Sequence, residues 1–228
     1  MHAEVEIAGE IMHLLPERAM HWPARSTLLI ADTHFGKDAA FRHAGVPVPQ
    51  ESLHADLGRL TSLVRGTGCE RLVVLGDFYH TRSGRSEHTE TQLDAWFAAH
   101  ASLDVVVIEG NHDEHAGPPR PEWRVWFEPG PLREPPFAFV HDPAEAVDSP
   151  SYRVCGHLHP VVNLRGPARS SRRVPCFAIA RNHAILPAFG GFTGGRAMRA
   201  AAGLALHPVV DGAVVPPAPA GMTARQSR

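Results

Sequence analysis

Apolar residues fall along this chain in short unbroken runs, and the polar residues at the end of each run are as regular as the run itself. Leu28-Leu29-Ile30-Ala31 leads into Asp32-Thr33-His34, Leu72-Val73-Val74-Leu75 into Gly76-Asp77, and Val105-Val106-Val107-Ile108 into Gly110-Asn111-His112-Asp113. Phe137-Ala138-Phe139-Val140 leads into His141, and Tyr152-Arg153-Val154-Cys155 into Gly156-His157-Leu158-His159. A continuous apolar run of strand length reads as a strand covered on both faces. Between runs the period lengthens. Pro49 opens a helical pattern carried by Leu53, Leu57, Leu60 and Val64, with Gly66 and Gly68 as its stop signal. Thr89-x-x-Gln92 has the form of a capping box ahead of Leu93, Trp96 and Phe97. Val5, Ile7 and Ile11 around Ala8-Gly9 predict a hairpin at a sheet edge. Strand-helix alternation implies α/β connectivity with right-handed crossovers. After His159 the helical pattern thins, and Val161 to Leu164, Val174 to Ala180 and Ala184 to Leu186 predict a meander in a second sheet.

Composition narrows the class. The 228 residues suit one sizeable domain, and 43% hydrophobic against 20% charged residues excludes a disordered chain. Net charge is −2, which excludes a generally basic nucleic-acid wrapper but leaves room for a local phosphate-binding patch. Cys69, Cys155 and Cys176 are odd in number and have no C-x-x-C spacing, so neither a disulfide framework nor a thiolate zinc ribbon is expected. A reducing cytoplasm is the natural setting. No apolar stretch reaches membrane-spanning length, and the acidic start Met1-His2-Ala3-Glu4 has no secretory signal behind it. The stretch from Pro216 to Arg228 is Pro/Ala-rich and polar and reads as a disordered tail.

Chemistry enters through the run ends. Ligands of open α/β sheets sit beyond the carboxyl ends of strands, so five segments would bring Asp, Asn and His to one rim. Such donors suit Mn²⁺, Fe or Zn²⁺. In extended backbone, residues two apart point the same way, so Asp32 with His34 and His157 with His159 could each grip one ion. Gly76 and Gly110 allow a sharp exit from their strands, where a side chain would obstruct. Two ions about 3.5–4 Å apart need a shared carboxylate, and Asp77 is the candidate.

Five blocks, D-x-H (Asp32, His34), G-D-x-x-H (Gly76, Asp77, His80), G-N-H-D (Gly110 to Asp113), a lone His141 and G-H-x-H (Gly156 to His159), together resemble the calcineurin-like metallophosphoesterases. The resemblance implies a four-layer α/β/β/α sandwich, two mixed sheets flanked by helices, over residues 1–215. It implies two divalent ions, Mn²⁺ first and Fe or Zn²⁺ as other candidates. Asp32, His34, Asp77 and His159 would hold the first ion, and Asp77, Asn111, His141 and His157 the second. Such ions acidify a bridging water and neutralise charge on the phosphoryl oxygens. His112 would protonate the leaving oxygen, since imidazoles titrate near neutral pH, with Asp113 orienting it.

Asp32 to Lys37, Phe41 to Pro47 and Pro187 to Gly195 resemble the bacterial DNA-ligase-associated branch of that family. The branch implies hydrolysis of phosphodiester bonds, with DNA as an expected substrate. A ligase, a helicase and a nuclease-like repair protein are the expected partners. Phosphomonoester or small-nucleotide hydrolysis, and a weakly active repair scaffold, are the alternatives. Lys37 (the chain's sole lysine), Arg42 and His80 are expected on the substrate side, and Arg165, Arg169, Arg172 and Arg173 could steer a nucleic-acid backbone. The glycine-rich stretch Phe189 to Gly195 reads equally as a cleft wall or as a tight turn.

Overall fold

The computed structural model describes residues 1–49, 51–147, 150–165 and 171–217. Residues 218–228 of the expected tail, and Arg169 of the arginine cluster, lie outside the described residues.

The first sheet has seven strands in chain order. These are β1 (Ala3–Ile7), β2 (Glu10–Leu15), β3 (Ala19–Trp22), β4 (Thr27–Ala31), β5 (Arg71–Leu75), β6 (Asp104–Ile108) and β7 (Trp126–Glu128). The β1–β2 hairpin lies at the sheet edge as the alternation implied, and β1 to β4 pair antiparallel. From β4 to β7 pairing is parallel. Every residue of β4 is buried, the signature of a strand covered on both faces.

Helices α1 (Lys37–His43), α2 (Ser52–Thr67), α3 (Glu87–Ala99) and the single turn α4 (Asp113–Ala116) interrupt this half. Leu53, Leu57, Leu60 and Leu63 of α2 and Leu93, Trp96 and Phe97 of α3 pack with Leu28, Ile30, Leu72 and Val74 on the sheet's outer face. Three helix boundaries differ from expectation. α2 begins at Ser52, behind Glu51, rather than at Pro49. α2 runs through Gly66 and ends at Gly68, whose left-handed φ of 64° lets its N–H reach the Val64 carbonyl. α3 starts ahead of Thr89, because the Ser86 side chain accepts the Thr89 N–H and caps the helix there.

The second sheet comprises β8 (Leu132–Glu134), β9 (Phe137–Phe139), β10 (Tyr152–Cys155), β11 (Pro160–Arg165), β12 (Ser171–Ala180), β13 (His183–Ile185), β14 (Arg196–Ala197), β15 (Leu204–Val210) and β16 (Ala213–Val214). It is mixed, with β9, β10 and β13 parallel and β11, β12 and β15 antiparallel. It therefore holds two of the five apolar runs, as well as the expected meander. Among the described residues no α-helix follows Ala116.

The sheets meet face to face over a common apolar layer. Leu29, Val73 and Val106 of the first pack with Phe137, Phe139, Val154 and Phe177 of the second. Trp22 stands edge-on to Phe137 at 4.9 Å between ring centroids and satisfies its indole N–H on Glu10 at 2.9 Å. Past β13 the chain crosses back: the Leu186 N–H bonds the Cys155 carbonyl, and that of Phe189 bonds the Ala31 carbonyl. The architecture is thus two mixed sheets with flanking helices, and β4, β5, β6, β9 and β10 all end near one rim.

Candidate metal centre

Backbone conformation aims the side chains at this rim, and it is not extended. Asp32, His34, Asp77, His157 and His159 have φ of 53°, 45°, 50°, 64° and 44°. The left-handed region costs a residue with a Cβ roughly 1–2 kcal/mol, a strain that collects at functional sites. Asp32 and His34 therefore converge through two left-handed turns rather than through strand geometry, which corrects the expectation for both D-x-H and H-x-H. Surrounding bonds hold the turns. Asp32 donates its N–H to the Gly76 carbonyl, His34 to Asp77 at 2.8 Å and Phe35 to Phe78 at 2.8 Å. The loops after β4 and β5 thus run side by side beyond the sheet.

Gly76 is required twice over. Its φ is +77°, and a Cβ there would lie 2.0 Å from Nδ1 of His141. Gly110 lacks the unusual φ, but its Cβ would meet the Asp77 amide at 2.2 Å. Both glycines leave room for a ligand to close in, rather than merely easing a turn.

Asp32, His34, Asp77 and His159 form one group whose donor atoms all lie within 4.8 Å of one another. His34 Nε2 is 3.3 Å from His159 Nε2 and 3.7 Å from Asp77, and His159 Nε2 is 3.4 Å from Asp32. A second set adjoins it through Asp77. His141 Nε2 is 3.5 Å from Asp77 Oδ1 and 3.0 Å from Asn111 Oδ1, while His157 Nδ1 is 3.1 Å from both Asn111 Oδ1 and His141 Nε2.

These donors fit divalent cations. Asp32 and Asp77 are buried carboxylates with neither Arg nor Lys in a salt bridge to them among the described residues, a costly arrangement without a cation. Nδ1 of His34 is buried with no hydrogen-bond partner. Burial, reinforced by Lys37 and His159, holds the His34 imidazole far below its ordinary pKa, so it is neutral with a free lone pair. Burial pushes the Asp77 carboxyl up despite His141 and the His112 amide. For His159 burial acts downward, but the Asp32 hydrogen bond and the Asp32 and Asp77 charges outweigh it and the net shift is upward.

His112 stands at the edge of this group, its Nε2 4.0 Å from Asp77 Oδ2 and its ring half-exposed. Its orientation does not come from Asp113, which corrects the expectation from the G-N-H-D block. Nδ1 of His112 lies 2.6 Å from the His80 carbonyl, and the two rings stack at 4.9 Å. Asp113 instead accepts the backbone N–H groups of Phe78, Tyr79 and Gly110, so it fastens the loops that carry Asp77 and Asn111. Its carboxyl is pushed up to about 6 by burial, against those three bonds.

The expected substrate-side residues divide. Lys37 lies near enough for the charges of Asp77 and Asp32 to raise its pKa, although burial lowers it overall. His80 packs against the His34 and His112 rings, and burial, followed by Lys37 and His112, lowers its pKa to about 4. Arg42 turns away: it pairs with Asp38 at 3.3 Å and reaches the carbonyls of Val48 and Pro49, so it pins its own loop. Arg172 is paired with Asp211 at 2.8 Å, and Arg173 donates to the Gly195 carbonyl.

The structure decides between the two readings of the Phe189 to Gly195 stretch. Gly190, Phe192 and Thr193 line one cleft with Thr33, His34 and Lys37, so the stretch walls the rim. No sequence pattern points to its anchor. Asp56 accepts the Gly191 N–H with both oxygens, at 3.2 and 2.9 Å, and Arg59 pairs with Asp56 at 2.8 Å while donating to the Phe189 carbonyl.

The calcineurin-like phosphoesterase profile matches residues 26–184. The Pseudomonas putida nuclease MPE superposes with a TM-score of 0.82 at 36% identity, covering 95% of this chain and 100% of that one. Yfce, a phosphoesterase from E. coli, aligns at a TM-score of 0.42 and 13% identity, over 83% of this chain and 96% of that one. No curated protein matches the sequence. A family match over well more than half the chain means that this chain belongs to the calcineurin-like phosphoesterases and is a metal-dependent phosphoester hydrolase.

Proposed function

We propose that the chain is a dinuclear phosphodiesterase acting on nucleic acid. The observation that carries this reading is the sharing of Asp77 between the Asp32/His34/His159 group and the Asn111/His141/His157 group. A likeness to a nuclease at 36% identity supports the substrate class. Asp32, His34, Asp77 and His159 would hold one ion, and Asp77, Asn111, His141 and His157 the other. Mn²⁺ is the proposed metal, since a mixed carboxylate, amide and imidazole set without thiolate suits it. When bound, such ions supply Lewis acidity toward the phosphoryl group and lower the pKa of water at the site.

The chain's own residues do the rest. Asp113 clamps the loops that present Asp77 and Asn111, fixing the spacing of the two groups. The His80 carbonyl accepts a hydrogen bond from Nδ1–H of His112, which turns Nε2 to the rim. In its imidazolium form the ring can deliver the Nε2 proton to the departing oxygen and return to the neutral state. Lys37 adds a positive charge beside the site, suited to a phosphate oxygen.

Metal analysis of the purified protein, followed by turnover with Mn²⁺ added back, tests this. Bis-p-nitrophenyl phosphate and oligonucleotides should be cleaved faster than p-nitrophenyl phosphate or cyclic nucleotides. Preference for the monoester would overturn the diesterase reading, and absence of turnover would favour a repair scaffold. A cytoplasmic setting beside a DNA ligase, a helicase and a nuclease-like protein is part of the proposal. Three free, buried cysteines and the lack of any helix long and apolar enough to cross a membrane among the described residues are compatible with it. Co-purification with the ligase and helicase checks the partners.

A further inference from the structure

An apolar side chain on a protein surface usually collapses against its neighbours, yet Phe192 stands 45% exposed beside the metal centre. Its loop is stapled at both ends. At the start, Asp56, Arg59 and Arg18 hold Gly191, Phe189 and Gly190, and at the end Arg173 and the Arg196 N–H hold Gly195, Leu158 and His159. The ring is therefore presented by a fixed support.

Phe192 meets Phe41 edge-on at 5.5 Å between centroids, and Phe41 lies nearly parallel to His80 at 6.1 Å. His80 stacks on His112 at 4.9 Å, so aromatic rings step outward from the metal centre to the surface. The open cleft at the outer end is lined by Lys37, Phe41, Phe192, Thr193 and the backbone of Gly191 and Gly194. An exposed phenyl face, one cation at the same cleft and uncluttered glycine backbone make a site for a nucleobase joined to a phosphate.

We propose that Phe41 and Phe192 form a nucleobase subsite, in which the base next to the scissile phosphate stacks on Phe192 while Lys37 takes the phosphate. The subsite rests on the phosphodiesterase reading and names what that site selects. A phosphodiester lacking an aromatic base would bind the metals but not this cleft.

The test compares an oligothymidylate with an abasic tetrahydrofuran chain of the same length and charge. Binding is read by fluorescence anisotropy of end-labelled chains on metal-free protein, and cleavage is read separately with Mn²⁺. Wild type should bind the oligothymidylate about tenfold more tightly, or roughly 1.4 kcal/mol. Phe192→Ala and Phe192→Leu should bring the ratio close to one, and Phe192→Tyr should keep it. Leu preserves apolar bulk without a π-face, so loss in that variant assigns the effect to stacking. Equal binding of both chains by wild type, or a preference that survives in Phe192→Ala, overturns the subsite. Absence of any cleavage with Mn²⁺ overturns the phosphodiesterase reading without touching the binding ratio. Cleavage without base preference removes the subsite alone.

Discussion

The inner parallel strands and the antiparallel margins of this molecule are built from similar residues and do different work. β4 is buried at every position, while β2 alternates between buried and more exposed residues. A strand covered on both faces has no side left for polar groups, so polarity is displaced beyond its end. Asp32, Asp77 and Asn111 follow β4, β5 and β6, and His141 and His157 follow β9 and β10. The antiparallel strands contribute support instead: Arg18 before β3 and Arg173 of β12 brace the loop that carries Phe192. Chemistry here sits where burial leaves no other place for it.

Breaking the shared carboxylate should have the largest effect. Asp77→Asn should reduce hydrolysis of bis-p-nitrophenyl phosphate to background while the circular dichroism melt remains cooperative, and retained turnover would count against the two-ion arrangement. His112→Ala should lower kcat by about 10²–10⁴, the usual yield of a positioned proton donor, and flatten one limb of the pH–rate profile. An unchanged rate and profile would remove it from proton transfer. Gly76→Ala should cost about 3 kcal/mol or more in urea unfolding, because left-handed strain adds to the collision with His141. Gly9→Ala, in the marginal β1–β2 turn with φ +85° and open space around it, should cost only about 1–2 kcal/mol. Equal costs would erase the contrast between rim and margin. Mn²⁺ at a hundred times its Kd should stabilise the fold by about 2.7 kcal/mol, and Asp77→Asn should abolish the shift. Arg42→Ala is the smallest: loss of a partly exposed pair with Asp38 should cost under about 1 kcal/mol, seen in the melt and not as a rise in KM.

The same contrast explains what could be read from the sequence. Buried strands followed by Asp, Asn and His write their position and their ligands into consecutive residues, so β4, β5, β6, β9 and β10 were legible. Backbone conformation at those ligands was not, because left-handed φ at Asp32 or His157 is imposed by neighbouring loops and leaves no periodic trace. The role of Asp113 was hidden for a related reason. Its partners are the amides of Phe78 and Tyr79, supplied by a loop more than thirty residues away. Arg42 looks available for phosphate until Asp38, one helical turn back, claims it. The Asp56 and Arg59 anchor was hidden because Asp56 is buried on the same side of α2 as Leu53 and Leu60, where an amphipathic pattern leads one to expect apolar residues only.

The chain's passage from β13 back to Ala31 and Asp32 joins two layers that also meet through apolar contact and through the Arg71–Glu134 ion pair. Asp32 and Asp77 leave one layer, and His141 and His157 leave the other, so whatever fills the rim acts as a rivet through the seam. Amide protons of β5 and β10, distant in the sequence, should then slow their exchange together when manganese is added, and recover their separate rates when it is chelated.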